Sequence, residues 1–423
     1  MLRRDVLTAA GRTMAAALSA SIDARSAVFA QARSSLSDAL QRRLADIVAA
    51  YDAQGNHRTA TPADHASTEW LASLVRQAGA EPTLEPFALL RIDPRSCYLR
   101  VADRRIDGVP VFDAAFTGGE GVRGRLGPLG SEAEIGLAET EPFTLMEPRK
   151  EQAGPLAQAR HSSHKAVVLL TRGSRPGLYL LNALSFAKPF GPPMLQVSSA
   201  ESEWLKDQAR QRAETTFVAE VGRSTAQAFN VTAKIAGKDP TLAPLVVMTP
   251  YSGWWQCASE RGGGLACWLE AMRTLAAAKP ERDCLFVACS GHEIGFLGFD
   301  SYIKARPDLI GRAQAWIYFG GNIGAPQQPN LIHASDEALE RWVVDAMAKE
   351  GLIVNAKAER GSVPRGEIGA VHRAGGRYVD VLCGTDVFHN AADRWPDAVD
   401  VAVLGRYASA FANGALELAR QRG

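Results

Sequence analysis

Neither acidic nor basic residues are in excess in this chain of 423 residues: its net charge is +1 at neutral pH. That removes the electrostatic footprint of a nucleic-acid or anionic-membrane binder. No uninterrupted run of about 18 apolar residues occurs, so no membrane span is expected. The six cysteines, Cys97, Cys257, Cys267, Cys284, Cys289 and Cys383, include no CxxC pair, which argues against a thiolate zinc cluster. Most sit in apolar runs and read as buried small hydrophobes. There is no GxSxG nucleophile elbow, which argues against the usual serine hydrolase. There is no HExxH either, because Phe296 stands four residues after His292. A GxGxxG match from Gly119 to Gly124 does not sit between a strand and a helix, and reads as a loop.

What is present is an ordinary globular composition, 46% apolar and 22% charged. The length calls for two or more domains. Residues 1–32 carry Arg3 and Arg4, a weakly apolar alanine-rich stretch and a small-x-small site at Ala30 and Ala32. That pattern resembles a twin-arginine export signal, and implies a periplasmic or secreted protein whose mature form begins near Arg33.

Two amphipathic helices are expected over "SLSDALQRRLADIVAAYD" and "TPADHASTEWLASLVRQAG". Strands follow in "TLEPFALL" and "SCYLRVA". From about Val109 to Val221 glycine and proline are dense and the pattern is mainly β, with one short helix capped by Ser199 or Ser202. From about Phe229 strands and helices alternate. "LAPLVVM", "DCLFVACSG", "AWIYFGG" and "GRYVDVLCG" are the strands, and the helix after Ser335 takes that serine as its cap. Such alternation implies a largely parallel sheet covered by helices, with chemistry at the carboxyl ends of the strands.

Those ends carry a suggestive polar set. "PYSGWWQCASERGGG" (250–264) places Trp254, Trp255, Cys257, Ser259, Glu260 and Arg261 in one loop. "SGHEIGFLG" places His292 and Glu293 after a strand, "YFGGN" places Asn322, and "GTDVFHNAADRWPD" places Asp386, His389 and Asp393. Histidine and carboxylate converging at strand ends suit a metal site or an acid–base pair. Glu367 and His372 in "RGEIGAVH" are further candidates. The tryptophan faces and Arg261 suit a small aromatic or carboxylate-bearing ligand, and the alternative for the two tryptophans is that they pack under the loop. Cys257 or Ser259 could be a nucleophile with His292 or His389 as base, oriented by Asp386 or Asp393.

Residues from about Gly55 to the C-terminus resemble the co-catalytic-zinc aminopeptidases and glutamate carboxypeptidase-like enzymes, metallopeptidase family 28. "FVACSGHEIGFLGFDSY" is similar to that family's EExGLxGS segment, and "VFHNAADRWPDAVD" to its HTxxDTxD segment. The resemblance implies an α/β fold, a three-layer sandwich with a mixed, mostly parallel sheet plus a mainly β inserted domain. Residues 33–108 and 226–423 would form the peptidase-like domain, and 109–225 a protease-associated-like insertion.

The resemblance departs from the family at the metal ligands. Pro250 and Ser252 stand where the family has its HxD pair, and Ser259 where it has the bridging aspartate, with Glu260 one residue on. His292 and Glu293 stand for its paired glutamates, and only glycines and Asn322 follow the next strand. Glu293 and His389 alone match ligands, which is too few for two zincs wanting about four donors each. Related glutaminyl cyclases hold one zinc with an aspartate, a glutamate and a histidine. The expectation is therefore at most one zinc ion, held by Glu260, Glu293 and His389, or none, with His292 as general base. The function implied is an exported hydrolase of an amide or peptide bond acting on a small-molecule or peptide substrate. The alternatives are an inactive pseudo-peptidase that binds a ligand through Trp254, Trp255 and Arg261, and a metal-free hydrolase or transferase using Cys257 or Ser259.

Overall fold

The computed structural model describes residues 37–140, 154–326 and 329–422. The export signal expected over residues 1–32 lies outside them. Helix α1 (37–52) and helix α2 (Pro62–Gln77) precede two long strands, β1 (Pro82–Val101) and β2 (Glu214–Ile235). The alternating half follows: β3 (Leu245–Pro250), α3 (Gly263–Ala278), β4 (Cys284–Cys289), β5 (Ala315–Gly321), β6 (Asn330–Ala334), α4 (Glu337–Lys349), β7 (Tyr378–Cys383) and α5 (Val401–Arg420). The sheet runs β6-β7-β5-β3-β4-β2-β1. Its centre, β7-β5-β3-β4, is parallel, while β6, β2 and β1 join antiparallel. Sequence patterning missed β6, a five-residue strand between Pro329 and Ser335, too short to show a period.

Strand alternation divides the core into two layers. Leu245 and Val247 of β3, with Ala315, Ile317 and Phe319 of β5, face α1, α3, α4 and α5. Val246 and Met248, with Trp316 and Tyr318, face the other side, where the helices Leu297–Lys304 and Ile368–Arg373 lie. Each large apolar side chain fully buried in these layers contributes roughly 1.5–3 kcal/mol. All six cysteines are buried and unbridged. Among the described residues no helix is long and apolar enough to cross a membrane.

The two strands expected near residue 90 are one strand, β1. β1 and β2 pair from Pro82↔Ala233 to Val101↔Thr215, with a register shift between Pro94 and Ser96. Pro86 and Pro94 are tolerated because β1 lies at the sheet's edge there. This ladder carries the chain into a smaller layer of strands, Val122–Pro128, Ile135–Thr140, Ala166–Thr171 and Met194–Val197, around its own core of Leu99, Leu126, Ile135, Val168 and Phe217. Two capping residues differ from the expectation. Ser198 caps the short turn before the helix Ser202–Arg210, and Asp336, not Ser335, caps α4 through Leu339 N. The capping oxygen must come from the residue with extended backbone, and that is Asp336.

Between α1 and α2 the buried His57 stacks on Tyr51 at 3.7 Å. Its ring nitrogens meet Ser67 Oγ at 2.9 Å and the Tyr51 carbonyl at 3.0 Å. Its backbone N–H donates to the Trp255 carbonyl, and its carbonyl accepts from Gly253 N. Burial lowers the His57 pKa from 6.5 to about 3, so the fold holds a neutral imidazole. The unfolded chain binds a proton there below about 6.5 and the folded chain does not, so this contribution to stability is complete above 6.5 and is lost as pH falls toward 3. In thermal melts over that window, His57→Gln should show a shallower acid loss of Tm than the wild type; equal slopes would exclude His57 as a source.

Candidate active site

The loops past β3, β4, β5 and β7 meet at the carboxyl edge of the parallel strands. The β3 loop ends in a wide turn, Ala258–Gly262, that opens from Cys257 in the left-handed region at φ 53°. Asp393 caps this turn: its carboxylate accepts from Ser259 N at 2.8 Å and Glu260 N at 3.0 Å. Burial pushes the Asp393 pKa up to about 7, against those hydrogen bonds. The glycines that follow are a packing requirement. A Cβ on Gly263 would lie 1.8 Å from the Ile323 carbonyl oxygen, so α3 reaches the β5 loop only through glycine.

Within the turn, Glu260 and Arg261 are each about 1% exposed and form an ion pair, Arg261 Nη2 lying 2.7 Å from Glu260 Oε1. The guanidinium is held by main-chain carbonyls, donating to Ser252 at 2.9 Å through Nε, and to Glu260 and Gly320 at 3.2 Å through Nη1. His389 brings Nε2 to 3.4 Å from the same Oε1. Its Nδ1 lies 2.6 Å from the Leu180 carbonyl, so Nδ1 carries the proton and only the imidazolium can donate to Glu260. Glu260 Oε1, Arg261 Nη2 and His389 Nε2 are all buried, and none makes an aligned hydrogen bond in the protein. Glu260 and Arg261 attract as charges at close range. Burial opposes ionisation of Glu260, but Arg261 and then His389 prevail and hold it well below the usual carboxylate range.

Glu293 is turned to other work. Its Oε1 accepts from Thr59 N at 2.7 Å and Thr59 Oγ1 at 2.6 Å, and its Oε2 accepts from Ser252 Oγ at 2.7 Å. Ser252 Oγ in turn accepts from Gly291 N and His292 N. Glu293 therefore binds the β3 and β4 loops to the α1–α2 connection.

His292, 7% exposed, points its Nδ1 at both oxygens of Glu367, at 2.9 and 3.0 Å. Tyr318 OH donates to the same carboxylate at 2.5 Å. Burial works against the charge on Glu367, yet His292 and Tyr318 hold its pKa low. Because Glu367 accepts at Nδ1, the neutral imidazole carries its lone pair on Nε2. Phe296 packs edge-on against the ring at 5.2 Å. Sequence reasoning named His292 and Glu367 separately and missed Tyr318. The signal available was strand alternation, which puts Tyr318 on the face opposite Ile317 and Phe319.

The remaining candidates divide by place. Trp254 is 3% exposed, hydrogen-bonded to Asn182 and packed on Phe112, and Arg261 is pinned inside the protein. Neither presents a free face to a ligand. Trp255 is half-buried and donates to the His389 carbonyl. Cys257 is fully buried, its thiol pushed far up by burial and then by Glu260, and Ser259 is fully buried too. Neither is hydrogen-bonded to a histidine among the described residues, which removes the pairing a nucleophile would need. Asn322, at φ 58°, donates to the Cys383 carbonyl and lies beside Glu260 through its own N–H. His372 stands apart, bonded to Tyr378 OH. Asp386 pairs with Arg175 at 2.8 Å.

A segment expected in the β insertion straps these loops together. Tyr179 bridges Asn390, Leu180 N donates to the His389 carbonyl, and Ala183 N donates to the Glu293 carbonyl. With Asn182 on Trp254 and Arg175 on Asp386, this segment sets the posture of His389.

No protein-family profile matches the sequence, and no curated protein does. Solved structures match in fold. A zinc aminopeptidase from Bacillus subtilis superposes with a TM-score of 0.72 at 16% identity, over 91% of this chain and 95% of that one. A Peptidase M28 precursor from Shewanella amazonensis SB2B gives 0.71 at 15%, over 92% and 97%. An aminopeptidase from Aneurinibacillus sp. strain AM-1 gives 0.67 at 14%, over 90% and 94%. The chain thus has the zinc aminopeptidase fold along nearly its whole described length.

The zinc that this fold implies does not fit the residues present. His389 keeps a ligand's posture, with Nδ1 tied to a carbonyl. The other donors are spent: Glu293 accepts on both oxygens, and Glu260 already meets a guanidinium. A dication about 4 Å from Arg261 would be repelled by roughly 8 kcal/mol at an effective dielectric of about 20. Among the described residues no three His, Cys, Asp or Glu side chains are grouped to hold a metal.

Replacing Asp393 with alanine should strand the buried N–H groups of Ser259 and Glu260. Denaturant unfolding should register a loss of about 2–4 kcal/mol; a loss under about 0.5 kcal/mol would deny the capping role.

Proposed function

We propose that this chain, built on the fold of the zinc aminopeptidases, is a hydrolase of an amide or peptide bond whose general base is His292. One observation carries the reading: the buried chain from Tyr318 through Glu367 to His292, which leaves Nε2 without a partner among the described residues. Glu367 and Tyr318 are positioning residues. They fix the tautomer and support the imidazolium that forms when Nε2 takes a proton from water. As that proton leaves, the water oxygen bonds to the substrate carbonyl carbon. The imidazolium then returns the proton to the departing nitrogen as the C–N bond breaks. None of these steps uses a metal. Small amides and peptides are the proposed substrates, in keeping with peptidase neighbours of the same fold.

A second reading, a ligand-binding protein without turnover, draws on the saturated state of Glu293. A panel of free and N-acylated peptides and amides separates the two. The wild type should hydrolyse at least one, and His292→Ala should lower its kcat by about 10²-fold or more. Glu367→Gln should lower kcat about tenfold or more with KM held, since it acts through His292 rather than on substrate. No turnover by the wild type on any member would remove the hydrolase reading.

Export by the twin-arginine route belongs to the same proposal, supported by Arg3, Arg4 and the site at Ala30 and Ala32. N-terminal sequencing of the protein from a periplasmic fraction should start near Arg33; an intact Met1 there would refute cleavage.

A further inference from the structure

We infer that Arg261 is an internal substitute for a metal ion: its guanidinium occupies the electrostatic place of a bound cation at the carboxyl edge of the sheet, and thereby excludes zinc. Glu260 sets the constraint. A carboxylate 1% exposed needs a proton, a metal or a fixed cation beside it. Arg261 lies 2.7 Å away and is itself almost fully buried. Its other nitrogens are not free to swing out, because three main-chain carbonyls, those of Ser252, Glu260 and Gly320, hold Nε and Nη1. Those carbonyls come from the β3 loop, the turn and the end of β5, so the cation is built into the junction of the strand ends.

The surrounding groups are arranged for positive charge. His389 aims Nε2 at the same Glu260 oxygen from the opposite loop, with its Nδ1 fixed on Leu180. Glu260 Oε1, Arg261 Nη2 and His389 Nε2 form a cluster of buried polar atoms without aligned hydrogen bonds. Such a cluster is held by charge rather than by direction, as donors around an ion are. The difference from a metal centre is permanence. Arginine does not dissociate, is not removed by chelators and does not lose its charge at any ordinary pH.

The test measures metal, and so stands apart from whether the hydrolase reading holds. The full-length protein, expressed with added zinc and freed of loose metal by gel filtration, should contain far less than one zinc per chain. Its Tm should not move on titration with zinc. Near-stoichiometric zinc in the wild type would overturn the inference. Arg261→Met removes the cation while keeping most of the side-chain volume, and leaves Glu260 unpaired. That variant should lose several degrees of Tm in metal-free buffer and recover part of the loss in zinc or cobalt, with a cobalt visible band reporting coordination. No metal response in Arg261→Met would also overturn the inference. If that variant fails to fold, the double variant Glu260→Gln with Arg261→Met, which buries no net charge, keeps the test open. It should fold and ignore zinc, and a zinc response there would show that Glu260 is not the group Arg261 shields.

Discussion

A fully buried carboxylate has to meet a positive charge, and in this chain Glu260 meets one from the next residue. Nearly everything around the candidate site follows from that pair. The turn that carries both residues is wider than an ordinary helical turn, with Arg261 N and Gly262 N both donating to the Cys257 carbonyl, and such local widening is a common feature of functional sites. Asp393 caps the turn's first amides, and Gly263 lets α3 approach the β5 loop without a side chain between them. The pair's cost is the desolvation of two charges. It is offset by their short distance and by three carbonyls on the guanidinium, so removing either partner is far worse than removing both.

The second charge system lies close by and is kept separate. His292, Glu367 and Tyr318 form a hydrogen-bonded line, whereas Glu260, Arg261 and His389 form an ion cluster. Each has one acid in an otherwise hostile interior: Glu260 is held by the Arg261 guanidinium, and Glu367 by the hydrogen bonds of His292 and Tyr318. The field of His292 also reaches Glu260, and that of Glu367 reaches Arg261, so protonation of one system is felt by the other. The strap through Leu180 and Ala183 ties the strand-end loops of both systems to one segment.

How much of this the sequence could show depends on range. The four parallel strands and the helices that cover them were legible, because hydrophobic periodicity is local. The long β1–β2 ladder was not, because Pro86 and Pro94 inside β1 look like breaks unless the strand is known to lie at an edge. The loops holding the site were legible as strand ends carrying histidines and acids. The partners inside them were not. His292 and Glu367 are separated by 75 residues, and Glu260 meets His389 across more than a hundred. Glu293 reads as a metal ligand through the family resemblance, where it stands for the second of the paired glutamates; only the neighbouring Thr59 and Ser252 show its oxygens to be occupied. Trp254 and Arg261 read as ligand-gripping because exposure is not written in a loop's composition.

The fold tolerates such an exchange of charge for a physical reason. At the carboxyl edge of a parallel sheet, loops converge with carbonyls, acids and imidazoles facing inward, and that arrangement favours a cation whatever its source. A metal supplies the charge and leaves open positions that substrate or water can take. A guanidinium supplies the charge and closes it, because its donors are planar, fixed and already engaged. A site built around Arg261 therefore keeps the electrostatic support of the metal-dependent architecture while giving up its open coordination positions. On the proposed reading, chemistry there comes from a free lone pair, that of His292 Nε2, backed by Glu367 and Tyr318.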